Sequence, residues 1–222
     1  MDFKKIFKIK VKFIIDMENT KMDKMDQILK IFPGGVFGLI SVIIILSGDI
    51  ISIVLFPGGY SFFENMISEL GRGPYGIFFN LGVVISGIVS VAYYISLYRS
   101  FDVERVNPIL RKSAIIFSLI SIITYVLIGV FPSIEENYII LITHGTFAFI
   151  SLASGAIYLT LFSILMLRDS KYMKLQAYYG FIVAGTYVLF LLTWWPITEW
   201  IATFAIISWI AVNSLYMLYY KL

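Results

Sequence analysis

Six runs of about twenty apolar residues leave this chain few folds to choose from. They cover roughly residues 36–56, 75–98, 113–131, 138–167, 176–195 and 197–219. As an α-helix, a stretch of about 20 apolar residues matches the hydrocarbon thickness of a bilayer; a barrel strand needs about 10 and alternates in polarity. The expectation is an all-α, polytopic transmembrane bundle of six helices. Composition agrees, since 59% of the residues are hydrophobic, above the roughly half that is usual in soluble domains. Charged residues make up 14% and fall almost wholly between the runs, as lipid imposes when it is the solvent.

The loops set the expected orientation. Lys4, Lys5, Lys8, Lys10, Lys12, Lys21, Lys24 and Lys30 precede the first run; Arg99, Arg105, Arg111 and Lys112 flank the second connection, Arg168, Lys171 and Lys174 the fourth, and Lys221 ends the chain. The first, third and fifth connections hold Arg72 as their one cation. The positive-inside rule then predicts cytoplasmic termini in a cell membrane, with Trp194, Trp195 and Trp200 at the outer interface. Residues 1–32 read as a basic cytoplasmic arm on an anionic leaflet, or as a structureless tail, ahead of a membrane domain at 33–222. The arm is no signal peptide, because its apolar run is short and no small-residue cleavage site follows.

Several chemistries drop out. With no cysteine there is no thiolate nucleophile or Cys-ligated metal, and one histidine rules out a multi-His site in one chain. The net charge of +3 sits where membrane topology puts it, so nucleic acid is excluded as a partner. Pro33-Gly34-Gly35 and Pro57-Gly58-Gly59 are helix stops. Neither is followed by the lysine and hydroxyl residue of a phosphate loop.

The stretch at 56–74, FPGGYSFFENMISELGRGP, is what the membrane setting leaves unexplained. A connector needs a few polar residues; this one carries Glu64, Asn65, Ser68, Glu69 and Arg72 among aromatics. Below it, at about 1.5 Å per residue, Asp49, Asn80 and His144 fall roughly 8–10 Å from the same ends of their helices. An acid, an amide and an imidazole thus share one depth, and ionisable residues there are functional candidates by default. Each also has a structural reading. Asp49 could accept hydrogen bonds from Ser47 or Ser52, Asn80 could bridge helices, His144 could anchor its helix, and Ser68-Glu69 could cap the next one. Glu64 and Glu199 read as solvated rim charges. A serine nucleophile with His144 as base and Asp49 or Glu69 as orienter would fill the roles of a triad, although no G-x-S-x-G elbow is present. A single metal held by His144, Glu69 and Asp49 is also conceivable. No segment shows the polar stripe that a channel needs.

The runs Asn65-Met66-Ile67-Ser68-Glu69-Leu70-Gly71, Phe79-Asn80-Leu81-Gly82, Gly129-Val130-Phe131-Pro132 and His144-Gly145 resemble the pattern of domain-of-unknown-function family 998, a set of six-helix prokaryotic membrane proteins. The likeness covers about Gly35 to Tyr220. More loosely the chain is similar to the Frag/DRAM/Sfk group of eukaryotic six-helix proteins, which includes remodelling factors for lipid-anchored proteins. The resemblance implies six membrane helices and marks Asn65, Ser68, Glu69, Asn80, Pro132 and His144 as motif positions. It implies no particular activity.

The resulting expectation is an outward-facing polar site that binds or modifies a lipid headgroup. His144, Glu69, Asp49 and Ser68 are its candidate catalytic groups, and Asn65, Asn80 and Glu64 its candidate binding groups. The alternative is a non-catalytic membrane scaffold or partner-binding module whose polar layer locks helix packing. The expected partner is membrane lipid; the pattern names no cofactor and no protein partner.

Overall fold

Each apolar run forms one helix in the computed structural model, which describes residues 33–134 and 137–222. The expected basic arm at 1–32 lies outside the described residues. The helices are α1 (Gly34–Val54), α2 (Gly76–Ser100), α3 (Pro108–Val130), α4 (Tyr138–Arg168), α5 (Lys174–Thr193) and α6 (Pro196–Tyr220). All six are long and apolar enough to cross a membrane, and the described residues contain no strand. Only 33% to 50% of each span is buried inside the protein. The rest is largely apolar side chain such as Ile43, Ile182 and Leu192, which lipid solvates and water would not. This is an integral, multi-pass membrane protein.

Helix ends differ from the apolar runs where local chemistry overrides hydropathy. α3 begins at Pro108, not near residue 113, because the Asn107 side chain accepts hydrogen bonds from the backbone N–H of Ile109 (2.8 Å) and Leu110 (3.3 Å) and Pro108 occupies the first turn. Arg111 and Lys112 belong to the helix although they interrupt its hydropathy. α5 stops at Thr193, short of the tryptophan pair, where Trp194 takes the left-handed conformation (φ 52°) and Pro196 opens α6.

Each helix packs against its neighbours in chain order, and α6 returns to α1, so the six close into a ring. Small residues permit the close approaches. A Cβ on Gly48 of α1 would lie 2.8 Å from the Phe78 carbonyl oxygen of α2, and one on Gly155 of α4 would lie 2.4 Å from the Tyr187 ring of α5. At the end bearing the α2–α3 and α4–α5 connections the ring is filled. Tyr93, Phe101, Phe162 and Trp209 are buried there, the Tyr94 and Tyr158 hydroxyls meet at 2.8 Å, and the buried Asp169 carboxylate accepts from the N–H groups of Asp102 (2.8 Å) and Lys171 (3.0 Å). Toward the other end the inward residues include Ser41, Ser86, Ser90, Ser121 and Ser151, too small to meet across the ring. A cavity remains.

Gly48→Val should push α1 from α2 and lower the melting temperature in detergent, at a cost of about 1–3 kcal/mol. Gly145→Ala, where a Cβ meets nothing within 4 Å, should leave it unchanged.

Candidate functional site

The cavity lies under the 56–74 loop, which folds back over that end of the ring. Gly58 and Gly59, both at positive φ, turn the chain. The loop then winds into a short 3-10 helix, Ile67–Gly71, that buries Ile67 and Leu70 against Phe79, Val83 and Trp200. Polar groups fix the rest. Ser61 N–H donates to Asn65 Oδ1 (3.1 Å), Asn65 Nδ2 to Glu69 Oε2 (2.8 Å), and Asn80 Nδ2 to the Gly71 carbonyl (2.9 Å), while Glu69 pairs with Arg72 at 2.9 Å. The N-terminus of the 3-10 helix has no cap from its own loop. Glu199 of α6 supplies it, its Oε2 accepting from the Ile67 N–H at 2.8 Å, and the Ser68 N–H is directed at the same carboxylate.

Tyr60 ties the loop to α6. Trp200 Nε1 donates to the Tyr60 hydroxyl (2.8 Å), which donates in turn to the Asn65 carbonyl (3.0 Å). The two rings meet edge to face with centroids 5.6 Å apart, and Phe62 sits 4.7 Å from Trp200. Burial pushes the Tyr60 phenol well above its ordinary pKa. The Trp200 hydrogen bond opposes this, and the carboxylates of Glu199, Glu69 and Asp49 add to it. The hydroxyl therefore stays a neutral donor.

The cavity has a volume of about 170 Å³ and takes wall residues from all six helices and the 3-10 helix. Apolar cavities of about 150 Å³ in other proteins take up benzene, so this space suits a hydrocarbon segment. Ser68, Glu199 and His144 stand at its loop end; Ile45, Val83, Ile206 and Phe190 are among its apolar walls, and Tyr94 and Tyr158 lie toward the far end. His144 is buried, and its Nδ1 lies 2.8 Å from the Phe131 carbonyl. A carbonyl only accepts, so Nδ1 carries the proton, and in the neutral ring Nε2 is left with a lone pair. The contact also satisfies a carbonyl just past the end of α3, where intrahelical donors run out.

The expected site residues are thus divided. Ser68 and His144 share the cavity wall. Asn65 and Glu69 bond to each other within the loop. Asn80 holds the 3-10 helix in place and keeps a buried Oδ1 that has no partner among the described residues. Glu64 is exposed. Asp49 is 2% exposed, neither of its oxygens has a partner among the described residues, and it is not part of the described cavity wall. No His144–Asp49 or His144–Glu69 hydrogen bond forms, because the Phe131 carbonyl orients the imidazole and Asn65 and Arg72 occupy Glu69. Nor do His144, Glu69 and Asp49 make a metal site: among the described residues no group of three His, Asp or Glu side chains is placed to hold an ion.

Three readings of the sequence are corrected here. Ser68 and Glu69 lie inside the 3-10 helix and do not cap α2, whose N-cap is Tyr75. Glu199 is a half-buried cap in the cavity wall, not a rim charge. Trp200 is buried against the loop (2% exposed), while Trp194 and Trp195 are exposed. The hydroxyl row of Ser86, Ser90, Ser121 and Ser151 was also missed; serines spaced four apart on α2 were its only signal.

These features define a six-helix membrane protein whose helices ring a cavity closed by an aromatic, acidic loop. A family model described as a protein of unknown function (DUF998) matches residues 39–218. The chain belongs to the DUF998 family. No curated protein and no solved structure matches it.

Tyr60→Phe removes the acceptor of the buried Trp200 N–H, so it should cost about 1–3 kcal/mol in thermal melts. The same change in a Trp200→Phe background should cost less, which a double-mutant cycle reads directly.

Proposed function

We propose that the protein binds a membrane amphiphile in the ring cavity, its polar end beneath the loop and its chain along the wall. The observation that carries this reading is where unspent polarity remains. Down the wall the serine hydroxyls are satisfied by the protein: Ser86 donates to Val83 O (3.2 Å), Ser90 to Gly87 O (2.7 Å), Ser121 to Ser151 O (2.8 Å) and Ser151 to Ser121 O (3.1 Å). Tyr94 and Tyr158 pair with each other. A hydroxyl already bonded to backbone presents little polarity, so this part of the cavity suits hydrocarbon. At the loop end, Glu199 has a second carboxylate oxygen and His144 a second ring nitrogen to offer.

Binding rather than turnover is the reading favoured, because among the described residues no second side chain activates a nucleophile through His144. The loop end faces outward in a cell membrane on this reading, as the lysines and arginines of the other connections imply. The competing reading is a scaffold whose polar groups only lock helices. The His144–Phe131 and Asn80–Gly71 bonds support it, since each satisfies a backbone carbonyl.

Lipid extraction with native mass spectrometry separates the two. One lipid class should co-purify with the wild type and be reduced at least severalfold in Ala148→Phe, which fills the cavity beside His144, while the melting temperature is kept. If no class is enriched, or Ala148→Phe retains it fully, the scaffold reading stands. Orientation is tested by cysteine labelling, which is clean in a chain with no native cysteine. A membrane-impermeant maleimide should label Glu64→Cys in intact cells and should label Glu104→Cys only after lysis.

A further inference from the structure

The polar groups at the loop end of the cavity are chiefly hydrogen-bond acceptors. Among the described wall residues Glu199 is the only carboxylate, and none is a lysine or arginine. Its Oε2 already accepts from Ile67 N–H, and the Ser68 N–H is aimed at the same carboxylate. The Ile67 amide is therefore not a donor to a ligand. His144 donates through Nδ1 to Phe131 O, leaving Nε2 to accept in the neutral ring, and the Ile128 carbonyl also lies within reach of the imidazole. Arg72 is the one cation of the described residues at this end, and it pairs with Glu69 at 2.9 Å outside the wall. A phosphate or carboxylate placed here would meet acceptors and like charge, with few donors to replace its water. An ammonium would meet the reverse.

Resting on the amphiphile-binding reading, we propose that the cavity selects an amphiphile whose buried polar end is a protonated amine, with the Glu199 carboxylate as the group that reads it. An –NH₃⁺ group has three donors and no acceptor, which suits Glu199, His144 Nε2 and the Ser68 hydroxyl. A charge-assisted hydrogen bond at a site removed from water is stronger than a neutral one. An alcohol of the same length has one donor and no charge, so it forfeits most of that gain. The buried aromatic ring of Trp200, next in sequence to Glu199 and locked to Tyr60, holds this stretch of α6 against the loop. Glu199 is thereby held at the cavity by packing and not by the loop alone.

The test uses the full chain in a neutral detergent with three single-chain probes of equal length: decylamine, decanol and decyl phosphate. Binding is read by tryptophan-fluorescence melts and by native mass spectrometry. Decylamine should bind about tenfold tighter than decanol or decyl phosphate, the ratio expected for one charge-assisted contact. Glu199→Gln keeps a side-chain oxygen for the Ile67 N–H and should reduce the preference to threefold or less. Decyl phosphate binding as tightly as decylamine, or Glu199→Gln keeping the full amine preference, overturns the assignment. Three probes that bind equally and are all displaced in Ala148→Phe sink the amine selectivity and leave the amphiphile site standing. If none binds and Ala148→Phe changes nothing, both readings fail. Should Glu199→Gln not fold, the wild-type ratio of amine to phosphate decides alone.

Discussion

A carboxylate reaching from α6 to the amide of Ile67, 132 residues away in the chain, is the contact on which the organised end of this protein depends. Backbone N–H groups placed at the mouth of a membrane bundle are poorly served by water and must find acceptors in the protein. The 3-10 helix offers no cap of its own, so without Glu199 its first amides would face an apolar core. With Glu199 in place, Ile67 and Leu70 can turn inward, Asn80 can reach the Gly71 carbonyl, and the loop becomes a lid on the ring. Tyr60 and Trp200 complete the same junction from the aromatic side. The residue that closes the site also supplies the only carboxylate among the described wall residues.

The cavity has a complementary origin. Helices that close into a ring leave a central space whose filling depends on side-chain size. Near the α2–α3 and α4–α5 connections the space is taken by Tyr93, Phe101, Phe162 and Trp209, all almost fully buried. Toward the loop, serines take the inward positions, and they return their hydroxyls to carbonyls of their own or the adjacent helix. A serine row thus costs the bundle little polarity while leaving space open. The wall reads as apolar even though hydroxyls are spaced along it.

Asp49 stands apart from this arrangement. A carboxyl 2% exposed with both oxygens unpartnered among the described residues is an unusual burial in a membrane helix. The expectation that it would join His144 came from depth alone. Depth fixes a residue's level along a helix and says nothing of the direction in which it points. Asp49 and His144 fall at similar levels, yet only His144 enters the cavity wall.

Which features were legible follows from how far each signal reaches along the chain. The six helices were visible because a bilayer demands about 20 apolar residues in succession, a constraint that composition within one window satisfies. The missed α3 start belonged to Asn107 and Pro108, a local cap masked by Arg111 and Lys112. Within the loop, the Asn65–Glu69 bond and the Glu69–Arg72 pair join residues three or four apart, and the sequence already grouped them. The Glu199 cap and the Tyr60–Trp200 bond join residues more than a hundred apart, so no local pattern announces them, and Glu199 passes for one more charge at a helix end. By itself the sequence determined that this is a six-helix membrane protein with an aromatic, acidic loop between its first two spans, because hydrophobic thickness and loop polarity are written residue by residue. Only the tertiary structure decided that the ring closes, where it stays open, and which acid, imidazole and serine share the opening, because those depend on the azimuth at which each helix packs against its neighbours.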